Sequence, residues 1–406
     1  MSPQVSSETT NDGKRGRHFA SRMEKTPKSF IREILKVTEN PSIISFAGGL
    51  PNPGLIDIQG IRLAAATVLG QDDRSVLQYS TTEGYLPLRQ FIAERYRKRL
   101  GLSVSPEEIL ITNGSQQCLD LIGKVFIDKG DHVAIERPGY VGAIQAFSLH
   151  EPVFHPVSLN EDGPDPLMLA NVLEKRPVKL FYGVPNSQNP SGITYTSPRR
   201  LELATIIGNT NTLFVEDDAY GELNFSGKNL PSMREFLPDQ TIITGSFSKI
   251  LAPGMRLGWV VAPPDVMEVL VIAKQASDLH SNYLSQRIAY QYLQQQNIDD
   301  HIRKICTVYK TQCHLMINMI REKFPGSVLY TVPAGGMFIW LTLPDGISST
   351  RVFEDALKEG VAVLPGTPFY TDGGGGNTIR LNFSNSTEQK IMTGMERFSQ
   401  VLRTLM

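Results

Sequence analysis

The sequence predicts an α/β protein with two domains: a large domain with a mostly parallel seven-stranded sheet between helices, and a smaller α+β domain. Short apolar strand patterns alternate with helical patterns between residues 108 and 262, as in parallel sheets whose strands are joined by helices. Strand patterns return after residue 323 around one helical pattern at 351–358. With 406 residues, the chain is long enough for both domains.

Composition excludes several classes of partner. Forty basic and 41 acidic residues leave a net charge of −1 without a long run of one sign, which argues against nucleic acid binding. The three cysteines are widely spaced and odd in number, which favours a reducing compartment over a disulfide framework. No metal-ligand spacing occurs among the cysteines and histidines, and no long apolar run or hydrophobic leader is present. We therefore expect a soluble cytoplasmic protein that binds neither metal nor membrane.

The patterns divide the chain into four segments. We expect residues 1–17, which are polar, to form a flexible arm. Residues 18–60 predict an N-terminal helix from Ser29 and a short strand at 43–46, both belonging to the small domain. Residues 61–295 predict the large domain and 296–406 the small C-terminal domain. The paired glycines Gly48 and Gly49 after the first strand suit close approach of the backbone to a ligand, and a tight turn explains them equally well.

The predicted strands give the framework on which candidate site residues are placed. A long helical stretch at about 265–323 separates the two sets of strands. The large-domain strands are predicted at 108–112, 132–136, 153–158, 178–183, 212–216, 241–246 and 257–262, and the later strands at 328–330, 336–341, 361–364 and 378–383.

Polar side chains follow successive strands of the large domain where each strand ends. They are Tyr140, Asn189, Asp217, Tyr220 and Lys249. Ligands of open α/β sheets bind outside the carboxyl ends of the strands, so we expect these side chains to converge on one crevice. Each also has a simpler interpretation, as a turn residue for Asn189, a helix cap for Asp217 and a packing residue for Tyr140.

The stretch around Lys249 is the strongest single signal. Lys249 lies in a hydroxyl-rich loop between two apolar strands, with Ser246 and Ser248 as donors to an anion and Arg256 as a fixed positive charge. A partly desolvated amine beside other cations has a lowered pKa, as Schiff-base chemistry requires. By itself the segment also fits a solvated loop or a simple phosphate site.

Two further positions suit anionic groups. Ser115 and Gln116 follow Gly114 at the start of a predicted helix, where free backbone N–H groups and the helix dipole favour a phosphate. Arg380 lies between apolar residues of a predicted strand. A clamp for a carboxylate and an internal ion pair are both reasons to place a guanidinium there.

Taken together, these motifs resemble those of fold type I pyridoxal-phosphate enzymes of the class I/II aminotransferases, and more narrowly the subgroup of 2-aminoadipate, kynurenine and multisubstrate aminotransferases. The resemblance runs from about residue 18 to the end of the chain. Its motifs are Gly-Gly-Leu-Pro at 48–51, Gln-Tyr-Ser-Thr-Thr-Glu-Gly-Tyr at 78–85, Gly-Ser-Gln-Gln at 114–117, Asn-Pro-Ser-Gly at 189–192, Glu-Asp-Asp-Ala-Tyr at 216–220, Gly-Ser-Phe-Ser-Lys at 245–249 and Arg-Leu-Asn-Phe-Ser at 380–384.

The resemblance implies a role for each cofactor-binding residue. Lys249 would form the Schiff base with pyridoxal 5′-phosphate and then move a proton as acid and base. Asp217 would pair with the pyridine nitrogen. The remaining residues would contact the phenolic oxygen (Asn189, Tyr220), the ring face (Tyr140) and the phosphate (Ser115, Gln116, Ser246, Arg256), with Ser248 shaping the loop.

The resemblance also implies how substrates and a second subunit complete the site. Arg380 and the backbone of Gly49, beside Asn189, would bind the substrate α-carboxylate. Tyr79 would reach the phosphate of the neighbouring subunit, which implies a homodimer with shared active sites. Arg32, on the predicted N-terminal helix, would bind the distal carboxylate of acidic substrates, and a solvent-exposed position explains it equally well.

The implied activity is transfer of an amino group between an L-amino acid and a 2-oxo acid such as 2-oxoglutarate, in a ping-pong cycle through pyridoxamine phosphate. The amino donors implied are 2-aminoadipate, glutamate, and aromatic or branched aliphatic amino acids. A lyase or decarboxylase of the same fold is the first alternative, because the cofactor shell does not dictate which bond at Cα breaks. A non-catalytic, cofactor-binding regulatory module is the second, and the short segment before residue 28 disfavours it.

Overall fold

The computed structural model describes residues 19–25, 40, 42–70 and 73–406. The predicted arm at 1–17 and the predicted helix from Ser29, including Arg32, lie outside the described residues. A short helix, α1, is described at Ser21–Lys25.

The described elements follow the predicted alternation of strands and helices. The strands are β1 (Ile44–Ser45), β2 (Ile109–Thr112), β3 (His132–Arg137), β4 (Val153–Asn160), β5 (Gly163–Pro164), β6 (Val178–Gly183), β7 (Leu213–Asp217), β8 (Thr241–Ser246), β9 (Gly258–Val261), β10 (Leu329–Tyr330), β11 (Phe338–Thr342), β12 (Val361–Ala362), β13 (Leu364–Pro365) and β14 (Thr378–Asn382). The further helices are α2 (Ile58–Gly70), α3 (Leu86–Leu100), α4 (Ser115–Phe126), α5 (Val141–Ser148), α6 (Pro166–Lys175), α7 (Ser197–Gly208), α8 (Met233–Phe236), α9 (Pro264–Asp278), α10 (Tyr283–Gln295), α11 (Ile298–Lys323), α12 (Ser349–Lys358) and α13 (Glu388–Leu405).

The large sheet has the strand order β2-β9-β8-β7-β6-β3-β4-β5. Strands β8, β7, β6, β3 and β4 are parallel, whereas β9 runs antiparallel to both of its neighbours. The seven predicted strands are all present, so the predicted fold class is confirmed. The eighth strand, β5, was not predicted because it has only two residues, one of them proline, and pairs antiparallel with the end of β4.

Several strands of the large sheet, including the edge strand β2, are buried along their whole length. Every residue of β8 is buried, as is every residue of β2 and β9. Continuous apolar runs are typical of strands buried on both faces. This burial fixes the strand ends, and with them the loops that carry the polar side chains.

The smaller sheet has the order β10-β11-β14-β13, and a separate parallel pair joins β1 to β12. The short strand β1 therefore packs with the C-terminal part of the chain. The predicted strand at 361–364 is two strands, because β12 pairs with β1 while β13 pairs with β14. The predicted helical stretch is likewise three helices, α9, α10 and α11.

Within the described residues, no helix has the length and apolar character needed to cross a membrane. The same part of the chain has no group of three or more histidine, cysteine or carboxylate residues arranged to hold a metal ion. All three cysteines are free thiols; Cys118 and Cys313 are buried and Cys306 is half-buried.

Candidate active site

A cavity of about 690 Å³ lies at the carboxyl ends of β3, β6, β7 and β8, and the chain around Gly49 and the side chain of Arg380 form its opposite wall. Its volume is in the range of small-molecule sites. The cavity brings together most of the predicted site residues: Gly49, Ser115, Gln116, Tyr140, Asn189, Asp217, Tyr220, Ser246, Ser248, Lys249, Arg256 and Arg380.

Lys249 extends into the cavity from the loop after β8. Its Nζ donates a hydrogen bond to the carbonyl oxygen of Gly49 at 2.9 Å. Burial lowers the pKa of Lys249 to about 8, and the positive charges of Arg380 and Arg256 act in the same direction, while Asp217 opposes them. A lysine amine with this pKa is partly neutral at physiological pH, as a nucleophile must be.

Asp217 is the last residue of β7 and is buried. Its Oδ2 accepts a hydrogen bond from Tyr182 Oη at 2.7 Å, whereas its Oδ1 is buried and has no hydrogen-bond partner among the described residues. Burial raises the pKa of Asp217 to about 6, opposed first by the hydrogen bond from Tyr182. The Thr244 hydroxyl and the backbone N–H of Ala219 also favour the ionised carboxylate, and Oδ1 remains free to accept a hydrogen bond from a bound ligand.

The neighbouring Asp218 has a different environment. Its Oδ1 accepts a hydrogen bond from Asn186 Nδ2 at 2.7 Å, and it is not among the residues that line the cavity. Successive side chains of an extended segment point in opposite directions, which separates the two carboxylates.

Arg380 lies in β14, is buried, and reaches Asn189 in the loop after β6. Its Nη1 donates to Asn189 Oδ1 at 2.8 Å and its Nη2 donates to the carbonyl oxygen of Ala47 at 2.7 Å. The guanidinium carbon lies 4.3 Å from the ring centroid of Phe338. Burial lowers the pKa of Arg380 to about 10. Among the described residues Arg380 forms no salt bridge, so the alternative of an internal ion pair is not realised there.

Arg380 also retains donor capacity, because its Nε is buried and has no hydrogen-bond partner in the described part of the chain. The amide of Asn189 links this guanidinium to Tyr220, since Nδ2 of Asn189 donates to Tyr220 Oη at 3.3 Å. Tyr220 is buried, which raises the pKa of its phenol. Tyr140 also lines the cavity, and burial raises its pKa to about 12, so both phenols are neutral.

The opposite end of the cavity is suited to an anion. Helix α4 begins at Ser115 after Gly114, whose φ of 82° is in the left-handed region. A side chain at Gly114 would place its Cβ 2.6 Å from Arg256 Nη2, so glycine allows the guanidinium to lie against this turn. Arg256 Nη2 donates to the carbonyl oxygen of Asn113 at 3.3 Å. Helix N-terminus, serine hydroxyls and guanidinium together make a site for a phosphate.

A buried carboxylate that the sequence analysis missed holds the loops of the cavity. Glu136, at the end of β3, accepts hydrogen bonds from the backbone N–H of Val184 at 3.0 Å, from Gln188 Nε2 at 3.0 Å and from the Tyr195 hydroxyl. Gln188 Nε2 also donates to the carbonyl oxygen of Pro138 at 2.8 Å. The loops after β3 and β6 are thereby tied together. No signal in the sequence distinguishes Glu136 from a solvent-exposed residue at a strand end.

Among the predicted site residues that the structure describes, Tyr79 does not line this cavity. Its side chain is 79 % exposed, and its ring meets His280 edge-on with 5.8 Å between ring centroids. The backbone N–H of Ser80 donates to His280 Nε2 at 3.3 Å, which anchors the segment. The described chain thus presents Tyr79 on its surface.

Comparison with known proteins identifies the family. The sequence profile described as "Aminotransferase class I and II" matches residues 53–398. The chain belongs to this family. It is 42 % identical over 382 residues to a 2-aminoadipate transaminase from Thermus thermophilus, an alignment that covers 93 % of this chain and 94 % of the relative.

Solved structures agree with the family assignment. An α-aminoadipate aminotransferase from Thermus thermophilus, complexed with N-(5′-phosphopyridoxyl)-L-leucine, has a TM-score of 0.89 and 41 % identity, covering 95 % of this chain and 97 % of that one. A Pyrococcus horikoshii kynurenine aminotransferase, in complex with PMP, has a TM-score of 0.90 and 40 % identity over the same shares. The chain is thus a pyridoxal-phosphate-dependent aminotransferase, acting on amino and 2-oxo acids.

The cavity fits this cofactor by its own chemistry. The free Oδ1 of Asp217 suits a protonated pyridine nitrogen, and the anion site at Ser115 and Arg256 suits a phosphate. Several other lining residues, among them Leu50, Gln145 and Val184, were not predicted. Apolar or uncharged residues give no sequence signal that separates cavity walls from ordinary packing.

Proposed function

We propose that this aminotransferase transfers the amino group of an L-amino acid to a 2-oxo acid such as 2-oxoglutarate in two half-reactions, by a ping-pong scheme. The main observation that supports this proposal is that Lys249, Asp217 and Arg380 line one cavity. Bound pyridoxal phosphate supplies an electron sink for charge that develops at the substrate Cα. The donors proposed are 2-aminoadipate, glutamate, and aromatic or branched aliphatic amino acids, and the relatives named for 2-aminoadipate and kynurenine support this range.

Each side chain of the cavity has its own proposed role in the reaction or in cofactor binding. Lys249 holds and moves the proton at Cα, since its pKa near 8 lets it both accept and return a proton. Asp217 accepts a hydrogen bond through its free Oδ1 and holds positive charge on the ring nitrogen. Asn189 and Tyr220 bind the phenolic oxygen, Tyr140 packs on the ring, and Ser115, Gln116, Ser246 and Arg256 bind the phosphate, with Ser248 shaping the loop.

Arg380 is proposed to bind the substrate α-carboxylate, together with Asn189 and the backbone of Gly49. The unused Nε of Arg380 supports this assignment, because a buried guanidinium N–H without a partner is costly until an acceptor is bound. Burial against the rings of Phe338 and Phe369 keeps water from competing for the guanidinium.

Tyr79 is proposed to complete the phosphate site of a second subunit, in a homodimer of cytoplasmic location. Its exposure on the surface of one chain, away from that chain's own cavity, supports the proposal. Arg32 is proposed to bind the distal carboxylate of acidic substrates; it lies outside the described residues, so this assignment rests on the sequence resemblance alone.

A half-reaction screen tests the proposed activity. The cofactor-loaded enzyme is mixed with single amino acids, and absorbance reports conversion of the cofactor while chromatography identifies the 2-oxo acid product. We expect one 2-oxo acid per site and no carbon dioxide. Release of carbon dioxide would instead indicate a decarboxylase of the same fold. Borohydride reduction followed by peptide mapping should place the cofactor on Lys249, and mapping to another lysine would contradict the site assignment.

Substitution of Arg32 tests the substrate range. Arg32→Ala should lower kcat/KM for 2-aminoadipate and glutamate by roughly ten- to hundredfold, the worth of one charge-assisted contact, and leave leucine and phenylalanine nearly unchanged. Equal loss for both classes would show that the residue acts only structurally.

A further inference from the structure

Two buried tyrosines each donate a hydrogen bond to a buried carboxylate near the active-site loops. Tyr182 of β6 donates to Asp217 Oδ2 at 2.7 Å, and Tyr195 donates to Glu136. Both tyrosine side chains are inaccessible to solvent. Asp217 lines the cavity and Glu136 does not. The two pairs therefore share one kind of hydrogen bond, but only the first is placed to affect a bound ligand.

The hydroxyl of Tyr182 makes the two oxygens of Asp217 unequal. Oδ2 accepts the phenolic O–H, whereas Oδ1 has no hydrogen-bond partner among the described residues. The ring of Tyr182 is itself fixed, because it packs edge-on against Phe147 of α5 with 5.9 Å between centroids. A fixed donor on one oxygen sets the rotation of the carboxylate and so the direction of the other oxygen.

The hydrogen bond also acts on charge. A donor to an ionised carboxylate stabilises the ionised form, whereas burial destabilises it. Both influences act on Asp217, with burial the larger and Tyr182 the first of those that oppose it. Tyr182 itself does not line the cavity, so any influence on a bound ligand passes through Asp217.

We propose that Tyr182 is a positioning residue that keeps Asp217 ionised and holds its Oδ1 ready for the ring nitrogen of the cofactor. The proposal rests on the proposed role of Asp217. It predicts that loss of one hydroxyl group, at a site that never touches the cofactor, weakens recognition of the protonated ring.

The test measures binding of 4′-deoxypyridoxine 5′-phosphate to the cofactor-free, full-length enzyme. This analogue keeps the ring nitrogen and phosphate but has no aldehyde, so Lys249 cannot react with it. Calorimetry gives Kd from pH 5 to pH 8.5. Ionisation of the ligand contributes equally to the pH dependence of Kd in every variant. The other titratable groups that interact with Asp217 also contribute equally; they are Lys249, Asp218, Glu136, Tyr140, Tyr220 and Cys118. Only the difference between variants is interpreted.

Tyr182→Phe should raise Kd at pH 7 by roughly tenfold, and the fall in affinity on the acid side should move to higher pH by about one unit. The sign follows from the lost donor: without it the pKa of Asp217 is higher, so the carboxylate is protonated at a higher pH. The matched control is Tyr195→Phe, which removes the same group from the other pair. Tyr195→Phe should lower thermal stability without changing the acid limb, the pH range in which affinity falls on the acid side.

A second measurement avoids any loss of packing. Site-specific replacement of Tyr182 by 3,5-difluorotyrosine makes the phenol a stronger donor, and the acid limb should then move to lower pH. An unchanged limb in both the Phe and fluorinated variants, or an equal shift in Tyr195→Phe, would overturn the proposal. Failure of the unmodified enzyme to bind the analogue at any pH would instead overturn the proposed cofactor site.

Discussion

At the level of single residues, the environment of Lys249 sets its protonation. Burial and the charges of Arg380 and Arg256 lower its pKa to about 8. In the cofactor-free enzyme, we expect acetic anhydride to label Lys249 with a midpoint near pH 8, because only the neutral amine reacts. An ordinary lysine titrates at about 10.4. Arg380→Met should move the midpoint upward, and a midpoint like that of an ordinary lysine in the unmodified enzyme would contradict the effect of burial.

The two adjacent carboxylates should differ sharply in importance. Asp217→Asn removes the charge that is proposed to pair with the ring nitrogen and should lower kcat by more than roughly a hundredfold. Asp218→Asn keeps the shape of a residue that contacts Asn186 outside the cavity and should change kcat by less than about threefold. Steady-state kinetics with one good amino donor makes the comparison. A more damaging Asp218 variant would show that the carboxylates have exchanged roles.

Arg380 should act on all substrates alike, because each carries the same α-carboxylate. Arg380→Lys keeps a positive charge but loses the planar fork that reaches Asn189 and Ala47 at once. We expect kcat/KM to fall by a similar factor for glutamate, leucine and phenylalanine. A loss confined to acidic substrates would assign Arg380 to the substrate side chain instead.

Some of these residues could be predicted from sequence and others could not. Lys249, Asp217 and Asn189 follow strands, and the carboxyl ends of parallel strands share one edge, so pattern alone brings them together. Tyr182 and Glu136 lie within apolar strand patterns, where a buried polar group and a packing residue look the same. Their roles depend on hydrogen-bond partners from distant parts of the chain, which periodicity does not contain.

At the level of elements, a buried lysine fixes the turn that begins α4. Lys274 of α9 is inaccessible to solvent, and its Nζ donates to Gln117 Oε1 at 2.7 Å, to Asp278 Oδ2 at 2.8 Å and to Ser281 Oγ at 3.0 Å. Gln117 Oε1 also accepts the backbone N–H of Asn113 at 2.8 Å. The network therefore supports the turn before α4, at the end of the cavity that suits an anion.

Lys274→Met should reduce the free energy of unfolding by about 2–4 kcal/mol, because it leaves buried acceptors without their donor. It should also weaken binding of the analogue phosphate, since the turn before α4 loses its support. The control is Lys124→Met on the exposed side of α4, where the pair with Asp120 is solvent-exposed and worth less than about 1 kcal/mol. Urea unfolding followed by circular dichroism measures the free energy of unfolding of both variants. Equal losses of stability in Lys274→Met and Lys124→Met would contradict the role of the network.

Element boundaries were predicted less well than element types. The sequence predicts one strand at 361–364, but the structure has β12 and β13, since two different partners draw the chain to opposite sides. Strand β5 depends on its pairing with Leu159 and Asn160 and has too few residues for a pattern of its own. In both cases tertiary pairing, which no local window contains, decides the outcome.

At the level of the whole molecule, the proposed role of Tyr79 in the phosphate site of a second subunit predicts that two chains build each active site. Lys249→Ala and Tyr79→Ala variants should each be impaired alone. When they are mixed, unfolded and refolded together, hybrid dimers contain one site with both intact residues, and activity should rise to about a quarter of that of the unmodified enzyme. Activity after mixing that equals the average of the two separate variants would show that Tyr79 serves its own chain or none.

The cavity also imposes an order on how the protein is made. Arg380 and Ala47 are hydrogen-bonded although they lie 333 residues apart, and β1 near the N-terminus pairs with β12 near the C-terminus. During synthesis the large sheet emerges with Asp217 and Lys249 while Arg380 and the strands around it have not yet been translated. The segment around Gly49 is made early, but its contacts with β12 and Arg380 can form only after the last strands leave the ribosome. A chain released before residue 380 would therefore carry Lys249 without Arg380, the residue proposed to bind the substrate α-carboxylate.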